Sequence, residues 1–473
     1  MQLIKRIALC ITILFSNQIA YSQNFAGNWQ GAIDAGQLLH IVFYIDNTNG
    51  IYTTRMQSPD QSPAKITCSN TIIDKDSITI TIGMINGSYK GKMIGSEIKG
   101  SWNQSGQSFP LDLKPGTGDV KAPNRPQTPK PPYSYNSEDV IYHNTDRTIQ
   151  YGATITSPKG KGPFPALVLI TGSGQQNRDE ELMDHKPFAV LADYLTQRGF
   201  VVLRVDDRGM GQSTGDVKNA TSADFAKDVN VSLDYLRSRK EVNKHKIGML
   251  GHSEGGMIAQ IVAAERKDID FIIFFASPGV KIEDLMTKQV QMTSLSMGAD
   301  SDIVNKYTQF YSSVVHSINQ HNDPSLNKKI VTDNLNEWMN KTDPNVVTAM
   351  TGISDSNTKH KFIANFTSQL SSPWFQYFLR YDPAPFLQKI NCKVLALDGD
   401  KDIQVDSKMN LEGIRMGLLK SMSSSYEIQE LPGLNHLFQK CTACTIAEYA
   451  TIEETIDPTA LYAIGTWLDK HVK

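Results

Sequence analysis

Five short apolar runs, set apart by helix-like stretches, constrain this chain more than anything else in it. They are Phe164-Pro165-Ala166-Leu167-Val168-Leu169-Ile170, Phe200 to Val205, Lys246 to Leu250, Phe271-Ile272-Ile273-Phe274-Phe275 and Lys393-Val394-Leu395-Ala396-Leu397. A strand that is apolar on both faces must be covered on both faces, and helices between such strands supply the cover. The spacing predicts helices near Met183 to Arg198, with Gly199 as the stop, then Ala223 to Arg239 and Gly255 to Arg266. The fold class is therefore α/β with a parallel sheet, entered through a hairpin at Val140 to Thr156. From about 280 to 385 the pattern turns helical and polar before the strands resume. An insertion at that point reads as a cap over the carboxyl edge of the sheet, where open α/β folds bind ligands. A last packing helix is expected over Ala447 to Lys470.

The 473 residues exceed what one hydrophobic core usually holds. Lys5 and Arg6 precede the apolar run Ile7 to Phe15, and Ala20-Tyr21-Ser22 follows. That order reads as a signal peptide over 1–22, the run being shorter than the roughly 20 residues a spanning helix needs. The alternative is an N-terminal membrane anchor. The expectation is export to the periplasm or beyond, with no stable membrane insertion once the leader is removed. Over 23–114 the pattern is all β. Ser77-Ile78-Thr79-Ile80-Thr81-Ile82 alternates with period two, and Asn49-Gly50 and Asn86-Gly87 are hairpin signals. Six to eight strands are expected there, as a small barrel or sandwich. Six prolines, Pro115, Pro123, Pro126, Pro129, Pro131 and Pro132, make 115–134 a semi-rigid linker to the domain at 135–473. Lys plus Arg total 47 against 49 for Asp plus Glu, a balance unlike that of nucleic-acid binders. Without Cys10, four cysteines remain, and Cys441-Thr-Ala-Cys444 could close one local disulfide. No second Cys-x-x-Cys exists to complete a zinc site.

Gly251-His252-Ser253-Glu254-Gly255 directly follows one predicted strand and directly precedes a helix. In Gly-x-Ser-x-Gly at such a turn, small flanking residues let strand and helix close up, and the serine hydroxyl projects outward. Ser253 is the candidate nucleophile, and the amide of Glu254 is a candidate oxyanion donor. A serine needs a general base, and the base an orienting acid. His436, in Leu431-Pro432-Gly433-Leu434-Asn435-His436, stands just past a strand, whereas His316, His321 and His360 fall in the cap and His471 in the tail. Asp402 is a candidate acid, with Asp398, Asp400 and Asp406 as neighbours. His252 lies too close in sequence to serve Ser253 as base. The second oxyanion donor should come from Thr171-Gly172-Ser173-Gly174-Gln175, with Ser173 the best single position. Asp207 and Arg208, in Asp206-Asp207-Arg208-Gly209-Met210-Gly211-Gln212-Ser213, are expected to hold loop structure.

These motifs, in this order, resemble exported α/β-hydrolases of the EstA-like carboxylesterase group, itself related to prolyl-aminopeptidase-like serine peptidases. They include Gly172 to Asp179, Gly-His-Ser-Glu-Gly-Gly, Gly-x-x-Asp-x-x-Val over Gly399 to Val405, and Gly-Leu-Asn-His-Leu-Phe-Gln. The resemblance covers Tyr135 to the C-terminus. It implies an α/β-hydrolase fold with a helical cap, Asp402 as the acid of a Ser253–Asp402–His436 triad, and ester hydrolysis without metal or organic cofactor. Thr171 departs from it, since many such hydrolases place His before that Gly; the donors there are main-chain. Two other readings stand beside the esterase. A serine aminopeptidase would hold a peptide's ammonium with cap acids such as Glu283, Asp284 and Glu337. A non-catalytic binding protein would keep only the scaffold. The expected partner is a small ester or a short peptide; acyl and alcohol specificity and oligomeric state are not legible.

Overall fold

In a computed structural model the described residues are 24–34, 38–60, 65–85, 87–104, 107–116, 124–423 and 425–473. The expected signal peptide lies outside them, as do Asn86 and residues 117–123 of the expected linker. The chain divides into two compact units at about residue 120.

The first unit is all β, with ten strands among the described residues, more than the sequence suggested. They are β1 (Gly27–Asp34), β2 (Leu38–Thr48), β3 (Ile51–Gln57), β4 (Ile66–Thr67), β5 (Asn70–Asp74), β6 (Ser77–Ile82), β7 (Gly87–Ile94), β8 (Glu97–Gln104), β9 (Gln107–Pro110) and β10 (Lys114–Pro115). The surplus consists of short pieces such as β4 and β10, two residues each, too brief to show a period. They form two five-stranded sheets, β10-β1-β2-β3-β4 and β5-β6-β7-β8-β9. Phe43, Tyr89 and Trp102 meet in one core that both sheets share, which makes the unit a sandwich. Asn49 and Gly50 turn β2 into β3 with φ of 54° and 87°, the left-handed pair that an Asn-Gly hairpin requires.

The second unit carries an eight-stranded sheet. Its strands are β11 (Asn136–His143), β12 (Gln150–Ser157), β13 (Phe164–Ile170), β14 (Val201–Val205), β15 (Val242–His252), β16 (Phe271–Phe275), β17 (Lys393–Gly399) and β18 (Tyr426–Leu431). The order is β11-β12-β14-β13-β15-β16-β17-β18, antiparallel over the first two junctions and parallel from β14 onward. The apolar runs are this parallel part, and their alternation sorts them onto two cores. Leu167, Leu169, Phe271, Ile273, Leu395 and Leu397 pack on α1 (Pro187–Gln197) and the C-terminal helix. Ala166, Val168, Ile272, Phe274, Val394 and Ala396 face α2 (Ser222–Ser238) and α3 (Glu254–Glu265). Each such large side chain, fully buried, stabilises the fold by roughly 1.5–3 kcal/mol.

Between β16 and β17 the chain runs through α4 (Ile282–Ser296), α5 (Ser301–Asn319), α6 (Asn327–Lys341), α7 (Pro344–Thr351), α8 (Ser356–Leu370), α9 (Pro373–Leu379) and α10 (Ala384–Leu387). The middle of this cap has its own core around Phe310, Val331, Leu335 and Trp338. Then follow α11 (Ser407–Leu418) and α12 (Pro458–His471). Two helix starts fall later than expected, both for backbone reasons. Met183 and Asp184 hold positive φ, so α1 begins only at Pro187. Asp457 caps α12 and Pro458 takes its first position, so the helix cannot extend back to Ala447. Within the expected linker, Arg125 is buried: its guanidinium donates to the carbonyls of Met183 (2.8 Å), Ala450 (2.9 Å) and Ile452 (2.7 Å). Cys441 and Cys444 are joined by a disulfide.

Candidate active site

Four turns at the carboxyl ends of parallel strands converge. The sharpest lies between β15 and α3, where Ser253 adopts φ 52° and ψ −120°. For a residue with a Cβ this costs on the order of 1–3 kcal/mol and persists only where the surroundings enforce it. Here they do. A Cβ on Gly251 would run into the Gly255 carbonyl, and one on Gly255 into the Ile170 carbonyl of the neighbouring strand. The flanking glycines are thus what the closeness of strand and helix demands. Because α3 begins at Glu254, its amide is among the four N–H groups a helix leaves without an internal acceptor.

Asp402 lies three residues past β17, and His436 five past β18. Their side chains meet at 2.6 Å, His436 Nδ1 to Asp402 Oδ2, with both residues buried. A carboxylate only accepts, so Nδ1 carries the proton. The other carboxylate oxygen accepts from the Gln404 and Val405 amides at 2.7 and 2.8 Å, which sets the orientation of the acid. The three rival acids have other partners. Asp400 accepts from the Gly433 amide (2.6 Å), and Asp406 caps α11 through the Met409 amide (2.9 Å). Asp398 is fully buried beside Asp402; burial, then the Asp402 charge, push its pKa well above the usual carboxyl range. Its Oδ1 accepts from the Gly399 amide at 2.8 Å. The His436 loop is pinned by its own motif. Asn435 accepts from the amides of Leu437 and Gln439 at 3.0 Å each, Gln439 reaches His185 (3.0 Å), and Phe438 stacks on Phe275.

Ser253, His436, Ser173 and Glu254 line one cavity of about 560 Å3, together with Leu285, Met286 and Gln289 of α4 and Trp374, Phe375 and Phe378 of α9. Glu283, Asp284 and Glu337 are not among the lining residues. Glu283 accepts from Asn319 at 2.7 Å, and Glu337 pairs with Lys341 at 2.7 Å. On the adjacent turn Gly172 donates its amide to Glu180 (2.7 Å), which leaves Ser173 as the next amide along that loop. The loop rests on Asp207, which accepts from Thr171 Oγ1 (2.7 Å) and the Gln176 amide (2.8 Å). Burial pushes Asp207 up to about 7. Arg208 is tied to Asp228 at 2.8 Å.

Glu180 and Trp374 escaped the sequence reading, as did the side-chain bonds of His252 and Glu254. Glu180 accepts from His252 Nδ1 (3.0 Å), and His252 Nε2 lies 3.0 Å from the His436 carbonyl. Both partners are acceptors, so both ring nitrogens carry protons. Burial alone would lower the His252 pKa, but the Glu180 carboxylate outweighs it and the pKa rises. Glu254 is a buried acid whose Oε1 accepts from Ser222 (2.6 Å) and from Trp374 Nε1 (2.8 Å); burial raises its pKa. The only signal for Glu180 was its place in the loop after β13, and nothing local marks Trp374.

Residues 184–360, a little over a third of the chain, match the family model described as serine aminopeptidase, S33 (Hydrolase_4). That stretch contains Ser253 but neither Asp402 nor His436. The chain is 30% identical over 172 residues to esterase EstD of Thermotoga maritima, covering 36% of this chain and 39% of that protein. It is 34% identical over 119 residues to an acyl transferase of Photobacterium leiognathi, 25% of this chain and 35% of the other. The chain thus spans well under half the length of these relatives. Among solved structures, protein PA2218 of Pseudomonas aeruginosa aligns over 72% of this chain and 94% of its own, at 15% identity and a TM-score of 0.42. The second unit has the α/β-hydrolase fold, and over part of its length its sequence is similar to an esterase and to acyl transferases.

Proposed function

We propose that this protein hydrolyses carboxylic esters through an acyl-enzyme on Ser253. What supports this most is the 2.6 Å Asp402–His436 pair at the wall of the cavity that Ser253 enters. His436 Nε2 takes the Ser253 proton as Oγ attacks the ester carbonyl. The resulting oxyanion is held by the Ser173 and Glu254 amides. His436 then returns the proton to the departing alcohol, and water, deprotonated in the same way, releases the acid. Asp402 keeps Nδ1 protonated and stabilises the imidazolium. The esterase likeness points the same way. Against an aminopeptidase stands the lining: the cap acids lie elsewhere, while Glu180 is engaged by His252, Glu254 by Trp374, and Glu181 by Asn177 and Lys186. In this reading the protein acts outside the cytoplasm after loss of residues 1–22. Turnover of p-nitrophenyl acetate should fall by at least about three orders of magnitude in Ser253→Ala. Near-normal turnover in that variant would sink the proposal.

A further inference from the structure

A second cavity, about 310 Å3, adjoins the one that holds Ser253 and shares Gly172, Gln175, Glu254 and Trp374 with it. Its size falls at the lower end of the roughly 300–1,000 Å3 usual for small-molecule sites. Val168, Val205, Val217, Phe225, Val229 and Ile258 make its walls. Among these shared residues the Trp374 indole stacks on Phe378 and donates to the Glu254 side chain at 2.8 Å. Glu254 follows Ser253 directly.

The chemistry assigns sides to these spaces. In the tetrahedral intermediate the alcohol leaves toward His436, which protonates it, and the oxyanion points at the amides of Ser173 and Glu254. The acyl substituent therefore points away from His436. The second cavity includes Gly172 and Glu254 in its lining but neither His436 nor Ser253. We propose that it is the acyl subsite, taking an uncharged aliphatic or aryl tail, with Trp374 and Glu254 as its threshold. The assignment rests on the esterase reading. A tail ending in a carboxylate is unsuited to it. Asp206, Asp207, Asp228 and Glu254 line the space, and the Arg208 guanidinium is already bonded to Asp228 at 2.9 and 2.8 Å. A second carboxylate would be buried there without a cation.

The test is the acyl profile of p-nitrophenyl esters from acetyl to octanoyl, with the adipic half-ester, for the wild type, Val229→Phe and Val217→Trp. Each methylene that enters should raise kcat/KM roughly fourfold. Octanoyl should therefore exceed acetyl by at least about tenfold in the wild type, and the adipic half-ester should fall at least about tenfold below hexanoyl. Either filling variant should cut the octanoyl-to-acetyl ratio about tenfold or more. Should Val229→Phe fail to fold, Val217→Trp decides, since Val217 is a half-buried loop residue. Acetyl turnover with a ratio that neither variant moves overturns the subsite and leaves the esterase standing. So does a profile that follows the alcohol chain of alkyl acetates instead of the acyl chain. No turnover of any ester by the folded wild type removes the esterase reading and the subsite together.

Discussion

Two buried acid–histidine pairs lie side by side, Asp402–His436 at 2.6 Å and Glu180–His252 at 3.0 Å, with ring centroids 4.8 Å apart. Their chemistry is alike and their wiring is not. His252 has Nδ1 on Glu180 and Nε2 on the His436 carbonyl, so it is an imidazolium with no nitrogen left to accept a proton. His436 has Nδ1 on Asp402 and its ring at the wall of the Ser253 cavity. Only the second pair can act as a base. The first is suited to holding the His436 main chain and, through Glu180, the Gly172 amide. What a buried histidine can do thus depends on how many of its nitrogens already face acceptors.

The sharpest way to break this comparison is to remove each ring in turn. His436→Ala should lower p-nitrophenyl acetate turnover by roughly three to four orders of magnitude, and His252→Gln by only about one to two. His252→Gln should also leave Glu180 as an unpaired buried charge near His436. That charge favours protonated His436, so the acid limb of the kcat/KM profile should move to higher pH. Equal losses from both variants, with the limb unmoved, would erase the distinction. The Glu180 side has a stability counterpart. Glu180→Gln leaves the His252 imidazolium buried without its counter-ion, at a cost of about 3–5 kcal/mol in denaturant unfolding. A change below about 1 kcal/mol would mean that the pair does not hold the loop.

How much of this was legible depends on the range over which each residue acts. Ser253 could be read because strand, turn and helix are contiguous, and Gly251 and Gly255 advertise a close approach. Asp402 and His436 could be brought forward because each follows its own strand end, and parallel strands deliver their ends to one edge. Choosing among Asp398, Asp400, Asp402 and Asp406 took a resemblance, because the choice is made by side-chain direction, which a nine-residue stretch does not encode. His252 was read as a mere flank because its acid, Glu180, is 72 residues away in sequence. Trp374 reaches Glu254 across 120 residues, from a cap whose polar pattern revealed helices but not what they face. Pairings between the loops behaved the same way. Arg178, in the loop after β13, binds Asp206 past β14 at 2.7 Å, tying two separately visible motifs together.

Asp207 sharpens the comparison from the opposite side, as a buried acid with hydroxyl and amide donors but no histidine. Its pKa is pushed up to about 7, so the folded state keeps the proton where the unfolded chain, near 3.9, releases it. Its contribution to stability is fully present below about pH 3.9 and is lost as pH rises through about 7. Asp207→Asn cannot lose that proton. Relative to the variant, the wild type should therefore lose on the order of 2–4 kcal/mol between pH 4 and pH 7.5. Parallel stability curves across that interval would show that Asp207 does not carry the proton.

The smallest expected effect isolates burial as the cause. Glu337 and Lys341 stand 2.7 Å apart, between the Asp402–His436 and Glu180–His252 distances, but with 68% and 72% of their side chains exposed on α6. Water already solvates both ends of such a pair, and holding two long side chains in one geometry offsets most of the attraction. If distance alone made an acid–base pair matter, Glu337→Gln should rival Glu180→Gln. If burial does, Glu337→Gln should move Tm by less than about 1 °C. It should also leave KM for aminoacyl anilides where it was, since Glu337 does not line the Ser253 cavity. A rise in that KM with Tm unchanged would instead bring Glu337 to the substrate's ammonium. That outcome would reopen the cap as a peptide-binding surface, because the folded cavity would then extend onto α6.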